Sequence, residues 1–299
     1  VRACNLLFEV LTQPSFDQDD IERTRKHLLT ELKLFWDNPT QFSGQLTRQL
    51  VYKDHQNSFN VLGVESALNI ITKEDLIQAH KKYISPHGAR LALVGDFSGI
   101  EIKDLLESTL GKWNGPKILD QQFPALFPVE HTIVDYPINR DQVVLTYGGL
   151  SVDRFHEDYD KLLLFDQVFT GGVLDGMGSR LFALREETGL FYAIGGSLLA
   201  GVGKQPGMIY VRAIVSPDNL IEAERIIEQA IAEQACNLNQ HELEDAQRAL
   251  INSRVDHFTS NRAIASTYIV LDKYELPHNF FDIRPEQICS VTILSLIHI

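Results

Sequence analysis

The segment Ser179–Gly196, SRLFALREETGLFYAIGG, constrains the fold most narrowly because it joins a helical pattern directly to a strand pattern. Apolar residues at helical spacing precede Gly189, a residue that readily adopts the left-handed conformation that ends helices. The residues that follow it have the aromatic and β-branched content typical of strands. The segment therefore predicts a fold with both helices and sheet, in which Arg185 and Tyr192 lie near the same end of that sheet.

Arg185 and Tyr192 have two interpretations when the spacing is considered alone. An arginine near a helix end commonly pairs with a neighbouring glutamate or with the helix dipole, and a strand tyrosine is commonly an amphipathic sheet residue. In the other interpretation, both side chains are exposed at the end of the sheet and bind a ligand. The spacing by itself favours the structural interpretation.

Composition and charge exclude several classes of protein. The formal net charge is -13 and the lysines and arginines form no cluster, so we predict no nucleic-acid surface. No apolar run is long enough to cross a bilayer, so we predict no membrane span. The three cysteines are widely spaced, which indicates neither a disulfide framework nor a metal-ligand cluster.

The length of 299 residues predicts two domains, and a proline-rich segment separates them. We predict a first α+β domain over residues 1–114, which includes a strand at residues 89–97 (ARLALVGDF). The linker is predicted at residues 115–131. The second α+β domain is predicted over residues 132–293, and its first strand should contain residues 143–147.

Both ends of the chain are unusual. The sequence opens inside an amphipathic helical pattern without an initiating methionine, and it closes on LSLIHI, residues 294–299. These last six residues resemble the translation of a sequencing-library adaptor, so we exclude them from the fold prediction. We expect the chain to be a fragment in which both domains are truncated.

Three stretches resemble the M16 (pitrilysin/insulinase) family of zinc metallopeptidases. The third is the most specific, because it carries Ser-Arg-Leu, Arg-Glu and Gly-Leu-x-Tyr at the spacing of the family. The stretches are residues 14–41 (PSFDQDDIERTRKHLLTELKLFWDNPTQ), 67–97 (ALNIITKEDLIQAHKKYISPHGARLALVGDF) and 175–196 (DGMGSRLFALREETGLFYAIGG). The resemblance implies two domains of the LuxS/MPP-like metallohydrolase type, each a mainly antiparallel sheet with helices packed on one face.

The family binds zinc through an inverted motif, His-x-x-Glu-His, which this sequence does not contain. The resemblance therefore implies zinc in the parent protein, and we expect none on this fragment alone. If the chain belongs to a catalytic half whose motif lies upstream, Glu31 aligns with the third zinc ligand of the family. If it belongs to an inactive half, Glu31 is a solvated helix residue. Thr24 stands where the family usually has a further glutamate, which favours the inactive half.

The resemblance also gives Arg185 and Tyr192 a role, because the corresponding family residues hold the substrate backbone and its carbonyl. We therefore expect the chain to supply the substrate-binding domain and chamber wall of a zinc endopeptidase. Its expected partners are an unfolded peptide or protein substrate and a second M16 half, in the same chain or a separate subunit. The alternative is a non-proteolytic M16-like subunit, similar to a respiratory-complex core subunit or to the recognition partner of a processing peptidase.

Overall fold

The computed structural model of the chain describes residues 2–118, 123–174, 176–233 and 237–297. Thirteen α-helices and three strands lie within these ranges, so the chain is α+β, as predicted. The helices are α1 (Arg2–Thr12), α2 (Gln18–Asp37), α3 (Pro39–Val51), α4 (Glu65–Ile70), α5 (Lys73–Tyr83), α6 (Ile102–Ser108), α7 (Tyr159–Phe169), α8 (Arg180–Thr188), α9 (Leu220–Glu233), α10 (Gln240–Ser253), α11 (Asn261–Lys273), α12 (Phe280–Cys289) and α13 (Ile293–Ile297). The strands are β1 (Val143–Leu150), β2 (Phe191–Ala200) and β3 (Met208–Val215).

Capping residues that are visible in the sequence determine several helix ends. Thr72 caps α5 by accepting a hydrogen bond from the backbone N–H of Asp75 at 3.2 Å, and the Asp75 carboxylate accepts one from the backbone N–H of Thr72 at 2.8 Å. Asn38 caps α3 by accepting from the backbone N–H groups of Thr40 and Gln41. These side chains satisfy donors that a helix leaves unpaired at its start.

The three strands form one antiparallel sheet in the order β1-β3-β2. The central strand β3 pairs with β1 without interruption, from Val143 opposite Val215 to Leu150 opposite Met208. The start of β1 confirms the strand predicted at residues 143–147.

Strand β2 departs from regular pairing at both ends. Phe191 pairs with Val215 and Ala193 pairs with Ile214, so Tyr192 is an extra residue in the ladder. A second irregularity lies between Ser197 and Ala200. A bulge of this kind bends the strand and redirects a side chain. Tyr192 is therefore released from the regular alternation of the strand.

One face of the sheet is buried by α7, α8 and α9. The cluster consists of inward-facing strand residues and the apolar sides of these helices, including Leu162, Phe169, Leu181, Phe191, Val211, Ala213, Val215, Ala223 and Ile227. A second cluster joins α7 to α10, α12 and α13. The buried face agrees with the prediction of helices packed on a sheet.

The opposite face is partly covered by α3, which the sequence prediction of one-sided packing did not include. Thr146 in β1 donates a hydrogen bond from its hydroxyl to Ser43 in α3 at 3.1 Å. A Cβ atom added to Gly148 would lie 2.2 Å from Thr47 Cγ2. Gly148 therefore provides the space that lets α3 approach β1 closely.

A buried carboxylate anchors the second bulge of β2 to α7. Asp166 is 6% exposed, and its carboxylate accepts hydrogen bonds from Leu198 N at 2.7 Å, Thr170 Oγ1 at 2.8 Å and Ser197 Oγ at 3.1 Å. Burial raises the pKa of Asp166 above its usual range, although the three donors act in the opposite direction.

The strand predicted at residues 89–97 is not observed. This segment is not paired with another strand, and Leu91 and Leu93 in it are exposed. A strand requires a hydrogen-bonding partner, and the described residues of this part of the chain contain no second strand. The prediction of a sheet in the first domain is therefore wrong for the residues that the structure describes.

The chain divides into two compact units. Unit 1 comprises Val1–Asp37, Asn60–Phe123 and Ser260–Val270. Unit 2 comprises Asn38–Phe59, Pro124–Thr259 and Leu271–Ile299. The domain boundaries at 114–115 and 131–132 and the adaptor origin of residues 294–299 stay predictions. Residues 119–122 of the predicted linker and residues 298–299 lie outside the described ranges.

Two adjacent glycines in β2 should respond differently to substitution. A Cβ atom at Gly196 would lie 2.2 Å from the Tyr210 carbonyl oxygen, whereas one at Gly195 would meet no atom within 4 Å. We expect Gly196→Ala to lower the free energy of unfolding by about 1–3 kcal/mol, the range for overpacked interiors. Gly195→Ala should change it by no more than about 0.5 kcal/mol. Urea denaturation of both variants measures this, and equal effects would contradict the packing described for β2.

The raised pKa of Asp166 predicts a pH-dependent stability difference. The contribution of this group to the free energy of unfolding is fully present below the usual pKa of aspartate and declines as pH rises through the raised pKa. Asp166→Asn cannot ionise and retains an acceptor oxygen, so it should gain stability relative to the wild type as pH rises. Urea denaturation between about pH 4 and pH 7 measures the difference. A difference that stays constant, or that shifts towards the wild type, would show that the hydrogen bonds outweigh burial.

Candidate functional site

The corner between α8 and β2 is built by local signals at both ends of the helix. Ser179 caps α8 by accepting a hydrogen bond from Phe182 N at 3.1 Å. Gly189 ends the helix in the left-handed conformation, with φ 65°, and its N–H donates to the carbonyl of Arg185 at 3.0 Å. Because β2 begins at Phe191, the chain passes from helix to strand within two residues.

Arg185 lies in the last turn of α8 with 42% of its side chain exposed. Its Nη1 atom is 3.3 Å from Glu186 Oε1, and that glutamate is itself exposed. Exposed ion pairs of this kind contribute little to stability, with a median of about 0–1 kcal/mol. Arg185 can therefore exchange Glu186 for a ligand group at low cost.

Tyr192 is 59% exposed at the first bulge of β2. Its neighbour Phe191 is 5% exposed and packs in the core of the sheet. The corner therefore combines a buried anchor with an exposed tyrosine beside it. Arg185 precedes Gly189 in α8 and Tyr192 follows it in β2, and no hydrogen bond joins the two side chains.

The residues at the start of α8 have structural roles that the sequence analysis did not assign. Arg180 donates from Nε and Nη2 to the two carboxylate oxygens of Glu242, at 2.8 Å each, and from Nη2 to the carbonyl of Asn237. The Arg180 guanidinium holds the pKa of Glu242 below its usual range. Leu181 is completely buried. The sequence could have placed Glu242 at the start of a helix, because Asn239 and Glu242 form a capping box that begins α10. It gave no indication that Glu242 pairs with Arg180.

A cavity of about 570 Å³ in unit 2 does not coincide with the predicted site. Its lining residues come from α7, the segment before α8, α10 and the turn that follows α10, and they include Met177, Glu242, Asp245, Ser253 and Asp256. Glu242 contacts Arg180 at the first residue of α8, whereas Arg185 and Tyr192 lie at the other end of that helix. The predicted site is an open corner and not a closed pocket.

Glu31 does not lie in a metal site formed by the described residues. It is 45% exposed on α2, and its Oε2 atom is 3.7 Å from Nδ1 of His27, one helical turn away. Across residues 2–118, 123–174, 176–233 and 237–297, no group of three or more His, Cys, Asp or Glu side chains could hold a metal ion. Zinc requires three or four protein ligands, so Glu31 and His27 alone do not fit it.

A protein-family model described as "Peptidase M16 inactive domain" matches residues 71–250, which is more than half of the chain. The chain belongs to the M16 peptidase family. The match spans the α8–β2 corner, and it confirms the family that the sequence motifs indicated.

Curated M16 relatives carry zinc protease names. The chain is 25% identical over 194 residues to "Uncharacterized zinc protease YmxG" of Bacillus subtilis (strain 168), covering 64% of this chain and 46% of that protein. It is 23% identical over 289 residues to an uncharacterized zinc protease of Rickettsia bellii (strain RML369-C), covering 94% of this chain and 68% of that protein. The chain thus spans about half of the Bacillus relative and about two thirds of the Rickettsia relative.

Solved structures show the same fold at low sequence identity. The M16 inactive domain from Pseudomonas fluorescens aligns with a TM-score of 0.88 and 22% identity, covering 99% of this chain and 70% of that chain. A chain of Complex III2 from Candida albicans aligns with a TM-score of 0.76 and 10% identity, with 99% and 72% coverage. The first half of the periplasmic protease PqqL from Escherichia coli gives a TM-score of 0.67 and 15% identity, with 99% and 66% coverage. Chains with this fold therefore occur in one half of a longer protease and within Complex III2.

Within the described ranges, no helix combines the length and the apolar character that a bilayer crossing requires.

We predict that this M16 chain, purified alone, retains only substoichiometric zinc after dialysis. The physical reason is that Glu31 and His27 supply fewer ligands than a zinc site needs. Elemental analysis by mass spectrometry measures the metal content, with Glu31→Gln as the matched variant. About one zinc per chain that is lost in Glu31→Gln would contradict the account of Glu31.

Proposed function

We propose that the chain is the substrate-binding part of a zinc-dependent endopeptidase of the M16 family. In this proposal it forms one wall of a chamber in which unfolded peptides are degraded or processed. The observation that carries it is the exposed α8–β2 corner, which presents Arg185 and Tyr192 within a match to the M16 inactive-domain model. The zinc protease names of the relatives support the activity of the whole protein.

In the proposed complex, Arg185 binds the peptide backbone. The guanidinium is planar and presents several donors in a fixed geometry, which suits a peptide carbonyl or carboxylate. The Arg185 guanidinium is paired with Glu186 only through a solvent-exposed ion pair. Binding energy from this contact is present both before and during the reaction, so it contributes to affinity more than to the rate of the chemical step.

The hydroxyl of Tyr192 donates a hydrogen bond to the scissile carbonyl oxygen in this proposal. Negative charge develops on that oxygen as the peptide bond is attacked, so a fixed donor there stabilises the transition state. The bulge supports this role because it keeps Tyr192 exposed while Phe191 stays buried in the core.

The proposal assigns the zinc to a second M16 half, in the same chain or in a separate subunit. When bound there, zinc would supply an activated water for peptide hydrolysis. Glu31 would complete such a site only together with histidines outside this chain, and we keep that role as the less favoured alternative. In the favoured alternative, Glu31 is a solvated residue of an inactive half.

A second candidate function is a non-proteolytic M16-like structural or recognition subunit. Two observations favour it: the described residues hold no metal-binding group, and the fold matches a chain of Complex III2. In that case Arg185 and Tyr192 would bind a partner or an uncut peptide. The two functions differ in whether a zinc-bearing half acts on the peptide bound here.

Substitutions at the corner should change kinetics and leave the fold intact. Tyr192→Phe removes one donor and should lower kcat by at most about 10²–10³-fold. Arg185→Ala should mainly raise KM. Both should change the free energy of unfolding by no more than about 0.5 kcal/mol. Cleavage of a quenched fluorescent peptide by the protein assembled with its zinc-bearing half, together with thermal melts, measures these effects.

Matched controls are Tyr268→Phe and Arg225→Ala, which alter an exposed tyrosine of α11 and an exposed arginine of α9. We expect wild-type kinetics from both. If the corner variants have unchanged kinetics and lowered melting temperatures, Arg185 and Tyr192 support the fold and do not bind substrate. A complete assembly that binds the peptide without cutting it would favour the second candidate function.

A further inference from the structure

We propose that the part of the sheet face at Gly195 and Arg212, beside the part that α3 covers, is a subsite that binds a carboxylate-bearing residue of an extended peptide. This inference rests on the proposed function and adds Arg212 as a residue that determines peptide specificity. It concerns β2 and β3, whereas the proposed corner lies between α8 and β2.

Arg212 lies on the face of β3 that points away from the core. Its neighbours Val211 and Ala213 are both buried in the main cluster, so the alternation of the strand directs Arg212 to the opposite side. Gly195 pairs directly with Arg212, and paired residues of antiparallel strands share a face. A Cβ atom added at Gly195 would meet no atom within 4 Å, so the space directly above Gly195, beside Arg212, is open.

Helix α3 borders this open space where it lies over β1 and β3. It contacts β1 through Ser43 and Thr146. It also reaches β3, because a Cβ atom at Gly44 would lie 3.2 Å from Tyr210 Oη. Over β2, by contrast, Ala193 is exposed and Gly195 has free space above it. We call this open space over β2, next to Tyr210 and α3, the slot.

The strands and helix that border the slot contain no acidic residue, although the protein as a whole is strongly acidic. The chain has 40 Asp and Glu against 27 Lys and Arg. The three strands and α3 nevertheless contain no Asp or Glu, and their charged residues are Arg212 and Arg48. A carboxylate in the slot would therefore meet a cation without passing an acidic side chain of these elements. This charge pattern selects an acidic peptide residue as the occupant.

Arg212 is held in place by a group that leaves most of its donors available. Its Nη1 atom lies 3.4 Å from Tyr210 Oη, and its guanidinium lies 5.8 Å from the centre of the Tyr210 ring. Among the described residues, no carboxylate forms an ion pair with Arg212. A guanidinium in this state can bind a carboxylate with two parallel hydrogen bonds.

The spacing along β2 relates the slot to the corner. Gly195 lies three residues beyond Tyr192, which corresponds to about 10 Å of extended strand at about 3.3 Å per residue. An extended peptide that contacts Tyr192 and follows β2 would therefore present a residue about three positions away to Arg212.

Peptide binding to the purified chain tests this inference without any need for cleavage. Two fluorescein-labelled, unstructured peptides that differ only by one Glu or Gln are titrated with the chain, and fluorescence anisotropy reports affinity. We expect the Glu peptide to bind more tightly. Arg212→Gln should lower the affinity for the Glu peptide by about tenfold, a loss of about 1.4 kcal/mol in binding free energy. It should leave the affinity for the Gln peptide unchanged. Gly195→Val should lower the affinity for both peptides because the valine side chain fills the slot.

The controls match each variant in chemistry and differ in position. Arg225→Gln removes the same charge from an exposed site on α9. Gly149→Val fills a strand glycine of β1 that also has no atom within 4 Å of an added Cβ. We expect wild-type affinity for both peptides from these two variants, and circular dichroism melts establish that all four variants are folded.

The outcomes separate this inference from the proposed function. If Arg212→Gln or Gly195→Val binds both peptides as the wild type does, the slot is not a subsite, while peptide binding at the corner stands. If the wild type binds the Gln peptide more tightly than the Glu peptide, or binds both with equal affinity, the assignment of Arg212 is wrong. If the wild type binds neither peptide, the proposed substrate-binding function is itself contradicted, and this inference with it.

Discussion

Burial of one face of the three-stranded sheet under α7, α8 and α9 is the constraint on which the rest of unit 2 depends. Because strand residues alternate between faces, burying Val211, Ala213 and Val215 directs Arg212 and its neighbours to the other side. The same cluster contains Leu181 of α8 and Phe191 of β2, which fixes both elements that meet at Gly189. The exposed residues of the corner are therefore positioned by buried residues immediately beside them.

Strand β2 is irregular at both ends, whereas the pairing of β1 with β3 is regular. At one end, Tyr192 is inserted into the ladder and stays exposed. At the other end, the irregularity lies against the buried carboxylate of Asp166, which binds the backbone N–H of Leu198. A buried charged group is costly unless it is hydrogen-bonded, and three donors offset part of that cost here, since burial still raises the pKa of Asp166. The second irregularity is thus anchored by a side chain of α7.

Much of this corner could be predicted from the sequence because its signals are local. Gly189, the strand composition after it and the motif spacing placed Arg185 and Tyr192 at one helix–strand junction, and the structure has that junction. The bulge at Tyr192 could not be predicted, since it depends on the register of β2 against β3. The approach of α3 to β1 depends on Gly148 meeting Thr47, two residues far apart in sequence.

The strand predicted at residues 89–97 shows the limit of local patterns. Its composition is typical of a buried strand, but a strand forms only with a partner, and periodicity carries no information about the partner. The motif arginine at position 180 shows the reverse case, because a family signature proved to carry a structural ion pair with Glu242. Family membership therefore does not by itself distinguish a residue that binds substrate from one that supports the fold.

The central claim is that the α8–β2 corner contacts peptide, and site-specific photocrosslinking tests it most directly. Tyr192 is replaced by the photoreactive residue p-benzoylphenylalanine, and Tyr268, which is also exposed, receives the same replacement as a control. After irradiation with an unstructured peptide, mass spectrometry identifies the crosslinked residues. The account predicts peptide adducts at position 192 well above those at position 268. Equal labelling at the two positions, or none at position 192, would contradict it.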